Sequence, residues 1–126
     1  MSSKCMFKIS NKTNQSITLR IDSFAHLTDN GKMIHDHPVI PSSKETDYVL
    51  TSTTNHDGEI KLSLIGGEKA IILGEIYIKN IKHPGDSGAL VSRSTAEGVD
   101  VQCTGVGRDD KSRIITAIIS QVKQLA

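Results

Sequence analysis

The chain has 126 residues and a mass of 13.7 kDa, a size that suits a single compact domain. Its 15 Lys and Arg nearly balance 14 Asp and Glu, the net charge is +1, and no basic run could neutralise a phosphate backbone, so we expect no nucleic-acid partner. With no Trp, two Phe and two Tyr, the core must be built from Ile, Val and Leu.

The first ten residues lack the apolar segment of a secretory signal, and no run approaches the roughly 20 apolar residues of a spanning helix. We therefore expect a protein made in soluble form without a signal peptide, either cytoplasmic or released by an unconventional route. Cys5 and Cys103 are not in a CxxC spacing, and they could either pair or remain buried thiols. No cofactor is indicated.

The first predicted strand covers residues 6–10. After a polar loop, residues 16–21 alternate, with Ile17, Leu19 and Ile21 on one face. The two segments predict a β-hairpin or a pair of sheet strands.

Residues 22–43 are irregular and contain turn signals at 28–31 and at Pro41. Residues 48–53 are rich in strand-favouring types and end at 55–58, a turn of the hairpin kind. Residues 59–64 then alternate cleanly, so a second hairpin is predicted here.

Further strands are predicted near residues 70–78, 89–91, 98–104 and 114–119, which gives about eight short strands. Turn signals about every ten residues are typical of a sandwich. We therefore predict an all-β fold, a single-domain β-sandwich over residues 1–126 with mostly antiparallel strands. Residues 116–125 could form a short terminal helix or belong to the last strand.

The segment Gly85-Asp86-Ser87-Gly88 resembles the tetrapeptide around the nucleophile of trypsin-like serine proteases, and Ser87 would then be the nucleophile. The same residue types also form ordinary turns. A serine nucleophile needs a base, and none of the five histidines lies in the sequence context that such proteases show around theirs. We therefore lean toward a protein that is not an enzyme and keep the protease as an alternative.

Two histidines flank an acidic residue in His35-Asp36-His37, an arrangement that could supply two metal ligands from one strand face. No third ligand can be named from the sequence. A solvated loop is therefore the preferred interpretation, and no metal site is predicted.

Several segments together are similar to the small β-sandwich cytolysins: the aegerolysins, the aegerolysin-like small component of binary insecticidal toxins and, more distantly, the actinoporins. The matching segments are Phe7-Lys8-Ile9-Ser10-Asn11-Lys12-Thr13 with residues 17–19, residues 31–38 and 40–43, Asp57-Gly58-Glu59-Ile60, residues 76–80 and 83–85, and residues 104–118.

The resemblance implies a protein that binds a membrane lipid or a cell-surface receptor, together with a larger pore-forming partner. The loops that it indicates for this contact contain Met33, Ile34, His35, His37, Tyr77 and His83. Interfacial Trp is usual in that family because an indole ring has an apolar and a polar side. This chain has Met33 where Trp would be expected, so a soluble binding module is a further alternative.

Overall fold

Alternating apolar and polar residues form ten β-strands in the part of the chain that is described. The computed structural model describes residues 4–28, 37–53, 58–79, 81, 90–106 and 114–121. The strands are β1 (Lys4–Lys12), β2 (Ile17–Ala25), β3 (Leu27–Thr28), β4 (Val39–Ile40), β5 (Glu45–Ser52), β6 (Glu59–Gly66), β7 (Ile71–Ile78), β8 (Leu90–Ser94), β9 (Val99–Val106) and β10 (Ile114–Gln121). The all-β prediction is confirmed. The strand number exceeds the predicted eight because two short pairings, β3 and β4, lie at sheet edges.

Two five-stranded sheets form a sandwich-like arrangement. Sheet A has the order β3-β5-β1-β10-β9, and sheet B has the order β4-β2-β6-β7-β8. All strand pairs are antiparallel except β1 with β10, which run parallel in the middle of sheet A. The prediction of a mostly antiparallel sandwich is therefore confirmed.

The last described segment is a strand and not a helix. Residues 116–121 belong to β10, so of the two alternatives given for 116–125 the strand is confirmed for this part and the helix does not form there; residues 122–126 lie outside the described residues. Ile115, Ala117 and Ile119 are fully buried at every second position, which is the period of a strand. Pairing with β1 on one side and β9 on the other fixes this register.

Of the two alternatives for the first pair of segments, the hairpin does not form and β1 and β2 are separate sheet strands; the hairpin pairing predicted for β5 with β6 is wrong. β1 lies in sheet A and β2 in sheet B, and β5 and β6 are divided in the same way. The connection at residues 13–16 leads the chain across the sandwich instead of to a lateral neighbour, whereas residues 54–57 lie outside the described residues. Consecutive antiparallel pairs do occur later, in β6–β7, β7–β8 and β9–β10.

The core between the sheets is aliphatic, as predicted. Its largest fully buried side chains are Phe7, Ile9, Ile17, Leu19, Ile40, Leu50, Ile60, Leu62, Leu64, Ile76 and Ile78. The alternation read from β2 and β6 correctly identified their inward faces. Phe7 is the one ring in this set, whereas Phe24 is 44% exposed at the end of β2.

One side of the sandwich closes where β8 passes into β9. Thr95 donates its backbone N–H to the carbonyl of Leu73 at 3.0 Å, and its hydroxyl donates to the carbonyl of Ile72 at 2.9 Å. Beneath this crossing a Cβ on Gly74 would lie 2.7 Å from both the Arg93 carbonyl oxygen and a methyl of Val101. Glycine at position 74 therefore allows β8 and β9 to approach β7 closely.

A buried asparagine anchors the turns at the far end of β1. The Nδ2 group of Asn11 donates to the carbonyls of Gln15 at 2.8 Å and Ile40 at 2.9 Å. Its Oδ1 accepts from the backbone N–H of Thr13 at 2.9 Å and from the Thr13 hydroxyl at 2.7 Å. Asn11 is 1% exposed, so this one side chain joins the β1–β2 turn to β4 without leaving its own polar atoms unsatisfied.

Cys5 and Cys103 are thiols that do not form a disulfide. Cys5 is buried, and burial raises the pKa of the half-buried Cys103 to about 12. Because the thiolate is the reactive form, we expect iodoacetamide at pH 8 to alkylate Cys103 at least about 100-fold more slowly in the folded protein than after denaturation. The Cys5→Ala variant isolates the Cys103 signal for mass spectrometry. Equal alkylation rates in the folded and denatured protein would contradict the raised pKa of the Cys103 thiol.

Candidate functional site

The predicted site residues are divided between the described and undescribed parts of the chain. Outside the described residues lie Gly85, Asp86, Ser87, Met33, Ile34, His35 and His83. The protease alternative and most of the predicted membrane loops therefore stay predictions. Tyr77 on β7 and His37 before β4 are described.

His37 supports the edge of sheet B. Its Nδ1 accepts a hydrogen bond from the backbone N–H of Ile21 at 3.1 Å, and the carbonyl of Pro38 accepts from Leu19 at 2.8 Å. The ring thus extends the pairing of β4 with β2. Its φ of 46° is the left-handed conformation that brings the ring over the strand. Among the described residues, no three His, Cys, Asp or Glu side chains are grouped so as to hold a metal ion.

Tyr77 lies in a row of residues that crosses sheet B on its outer face. The cross-strand register places Lys61 of β6 beside Tyr77, and Tyr77 beside Val91 of β8. In the next row, Glu75 lies beside Arg93. These five side chains line a depression of about 310 Å³. We call this surface the tyrosine face: Lys61, Glu75, Tyr77, Val91 and Arg93.

The ion pair between Arg93 and Glu75 on the tyrosine face remains accessible to water. Arg93 donates to Glu75 at 2.8 Å, and their side chains are 65% and 31% exposed. An ion pair in such contact with water contributes little to stability, because the solvent screens it. Arg93 can therefore exchange this partner for an anionic ligand at small cost.

The hydroxyl of Tyr77 donates to Glu59 at 3.2 Å. Desolvation of the phenol, together with the charge and hydrogen bond of Glu59, raises the pKa of Tyr77. The phenol is therefore a protonated donor across the physiological range. An aromatic ring held in this way offers an apolar surface and a fixed polar group at the same place.

A second polar cluster borders the tyrosine face on β2. At the β-bulge of this strand, Arg20 donates to Asp22 at 2.8 Å and to Ser63 at 3.2 Å, and Ser63 donates to Asp22. Partial burial opposes ionisation of Asp22, but the bonds from Ser63 and Arg20, with the charges of Arg20 and Lys61, lower the pKa of Asp22 overall. Asp22 thus stays charged and remains the ion-pair partner of Arg20 at 2.8 Å.

An apolar side chain lies beside these charges. Val91 is 54% exposed on β8. Phe24 does not join it, because it is registered against the buried Ile60 and therefore lies on the inner face of sheet B, opposite to Lys61. An exposed aliphatic group next to a cationic and phenolic cluster forms an amphiphilic surface.

Another cleft, of about 630 Å³, lies between two turns and is lined by Asn14, Gln15, Ser16, Gly67, Glu68 and Lys69. Its lining comes from turn residues. Since none of those residues has an aromatic or branched aliphatic side chain, we regard the tyrosine face as the better candidate.

Only Tyr77 of the tyrosine face was predicted from the sequence. The alternation of β7 could have added Glu75, which is two residues away and therefore shares its face. Lys61, Val91 and Arg93 could not be found in this way, because they come from other strands whose register no local pattern specifies.

No family model and no curated protein matches this chain. Among solved structures, IP-1A from Alcaligenes faecalis is similar, with a TM-score of 0.59 and 15% identity over 96% of this chain and 92% of that chain. The RahU protein, in complex with a Tris molecule, is similar with a TM-score of 0.62 and 11% identity over 98% of each chain. Identities this low support a shared fold and do not transfer function.

Proposed function

We propose that this protein binds membrane surfaces without enzymatic activity and that the tyrosine face contacts the lipid headgroups. The observation that carries the proposal is the outward cluster of Tyr77, Lys61 and Arg93 beside the exposed Val91. A phenol ring is suited to the boundary between headgroups and acyl chains because it has an apolar body and a polar tip.

The charges on this face suit a zwitterionic headgroup. Lys61 and Arg93 provide cations for a phosphate, and guanidinium can bind phosphate through two parallel hydrogen bonds. Glu75 and Glu59 provide carboxylates for an ammonium group. The apolar Val91 would then enter the upper acyl region, so the contact combines hydrophobic and electrostatic terms.

The resemblance to the small sandwich cytolysins supports a membrane as the target and adds a larger pore-forming protein as the partner. In the described residues, no helix is long and apolar enough to cross a bilayer. The interpretation as a small toxin component is part of this proposal, and the vesicle experiment tests its first step.

Vesicle binding should depend on lipid composition and on Tyr77. We expect flotation with vesicles containing phosphatidylcholine, phosphatidylethanolamine, phosphatidylserine, sphingomyelin or sterol to retain the protein on at least one mixture. On that mixture Tyr77→Ala and Arg93→Ala should each weaken binding by about tenfold, since each removes one part of the amphiphilic contact. Gln102→Ala, an exposed change on sheet A, is the matched control and should bind normally. Retention by none of the mixtures, or normal binding by both variants, would refute the proposal.

A further inference from the structure

A second surface, on the opposite sheet, carries a row of exposed apolar side chains. Met6 on β1 is registered against Val49 on β5 and against Ile114 on β10. The three side chains are 41%, 41% and 36% exposed, although they lie on three adjacent strands of sheet A. Contiguous apolar groups of this kind mark interaction surfaces.

Charges lie beside this row in an ordered way. Two residues further along β1, Lys8 points to the same outer face and is registered against Asp47 of β5. Two residues back along β1 lies Lys4, which is exposed. Strand β1 is therefore basic on its outer face, and the neighbouring β5 is acidic there, with Asp47 and Glu45.

We propose that this surface binds a second copy of the same chain through a two-fold axis that runs parallel to the strands between β1 and β5. This axis stacks β1 of each copy on β5 of the other. It leaves the position of each residue along the strand direction unchanged, so residues that are registered within one copy lie opposite each other between the copies. Met6 of one copy then meets Val49 of the other, and Lys8 meets Asp47. Both contacts occur twice, as an isologous interface requires.

The alternative two-fold axis in the same plane, perpendicular to the strands, is disfavoured by charge. An axis of this kind that passes through the apolar row stacks β1 of one copy on β1 of the other. It inverts positions along the strand direction about Met6, so that Lys8 of one copy faces Lys4 of the other. Like charges placed together in this way are repulsive. The charge pattern therefore selects the parallel axis and fixes which residues meet.

The size of the surface indicates a transient dimer. Around this axis only β1 and β5 overlap over their full length, because β10 of one copy meets the two-residue β3 of the other. At ordinary strand spacing and rise the overlap covers roughly 300 Å². The total buried by two copies, roughly 600 Å², is below the size of standard specific interfaces, about 1,200–2,000 Å². Dimer formation should accordingly depend on protein concentration.

A charge-swap experiment tests the arrangement without lipid. In sedimentation equilibrium the unmodified protein should rise from its monomer mass of 13.7 kDa toward twice that value as concentration increases. Lys8→Asp and Asp47→Lys should each weaken self-association by about tenfold or more, since each makes both contacts repulsive. An equimolar mixture of the two variants should associate again, because every contact between the copies is then between opposite charges.

Regained association in the mixture excludes misfolding of the variants as the reason for their weaker self-association. The like charges at positions 8 and 47 within each variant chain are still present in the mixture, so only the contacts between copies have changed. Met6→Ser gives a second readout and should also weaken association. Its matched control is Ile72→Ser, which alters a side chain 37% exposed on sheet B and should leave the mass unchanged.

Three outcomes would overturn the dimer: an unmodified protein that stays monomeric at millimolar concentration, variants that associate normally, or a mixture that does not regain association. A Met6→Ser change that lowers vesicle retention in an always monomeric protein would assign this surface to lipid and reject the dimer. The effect of Tyr77→Ala on lipid binding tests only the tyrosine face on sheet B. The dimer on sheet A and the membrane contact on sheet B can therefore be refuted independently.

Discussion

Replacing Gly74 with alanine is expected to destabilise the fold by about 2–3 kcal/mol, as overpacking in a filled core does. The added methyl would lie 2.7 Å from the Arg93 carbonyl oxygen on β8 and 2.7 Å from a methyl of Val101 on the facing sheet. The first contact is with backbone, which cannot rotate away. The added methyl must therefore push β8 outward. Urea unfolding followed by circular dichroism measures the loss.

A double-mutant cycle separates the two contacts of Gly74. Val101→Ala removes one of them and, combined with Gly74→Ala, should recover about 1 kcal/mol relative to the sum of the single changes. Thr104→Ala, an exposed change on β9, is the control and should stay within about 0.5 kcal/mol of the unmodified protein. If Gly74→Ala matches that control, β7 and β8 are not held as closely as the structure indicates.

Asn11→Ala should cost about 3 kcal/mol, because removal of the amide leaves several buried polar groups without partners. The side chain makes four hydrogen bonds, to Gln15, Ile40 and twice to Thr13. Asn11→Asp retains the acceptor but replaces both amide donors with a buried carboxylate oxygen, so it should be at least as unstable. The free energy of unfolding from urea titration is the measurement.

Asn14→Ala is the matched control for Asn11, because both asparagines lie at the same turn and Asn14 is exposed. We expect the control to change stability by no more than about 0.5 kcal/mol. A similar loss for the two variants would mean that the turn as a whole, and not the amide of Asn11, holds β4 against β1 and β2.

Local patterns predicted the faces of the strands but not their partners. Alternation identified Ile17 and Leu19 on β2 and Leu62 on β6 as core residues, because the side-chain period of a strand is a local property. Whether a turn leads to a lateral strand or across to the other sheet depends on how distant segments pack. The hairpin considered as one alternative for β1–β2 and the hairpin predicted for β5–β6 do not form for this reason.

The candidate site was predictable only in part. Tyr77 was named because the resemblance to the small sandwich cytolysins indicated it for membrane contact. The Glu75–Arg93 ion pair beside Tyr77 and the apolar neighbour Val91 depend on the register of β7 with β6 and β8. That register is set by core packing along whole strands, so no short motif contains it.

The parallel pairing of β1 with β10 has a consequence for the life of the polypeptide in the cell. Since β10 lies between β1 and β9, a nascent, truncated or proteolysed chain that lacks it presents two unpaired strand edges and leaves one side of the core open. Such edges are templates for aggregation. Synthesis through β10 must therefore precede stable closure of sheet A, and chains that lack β10 become natural substrates for chaperones and proteases.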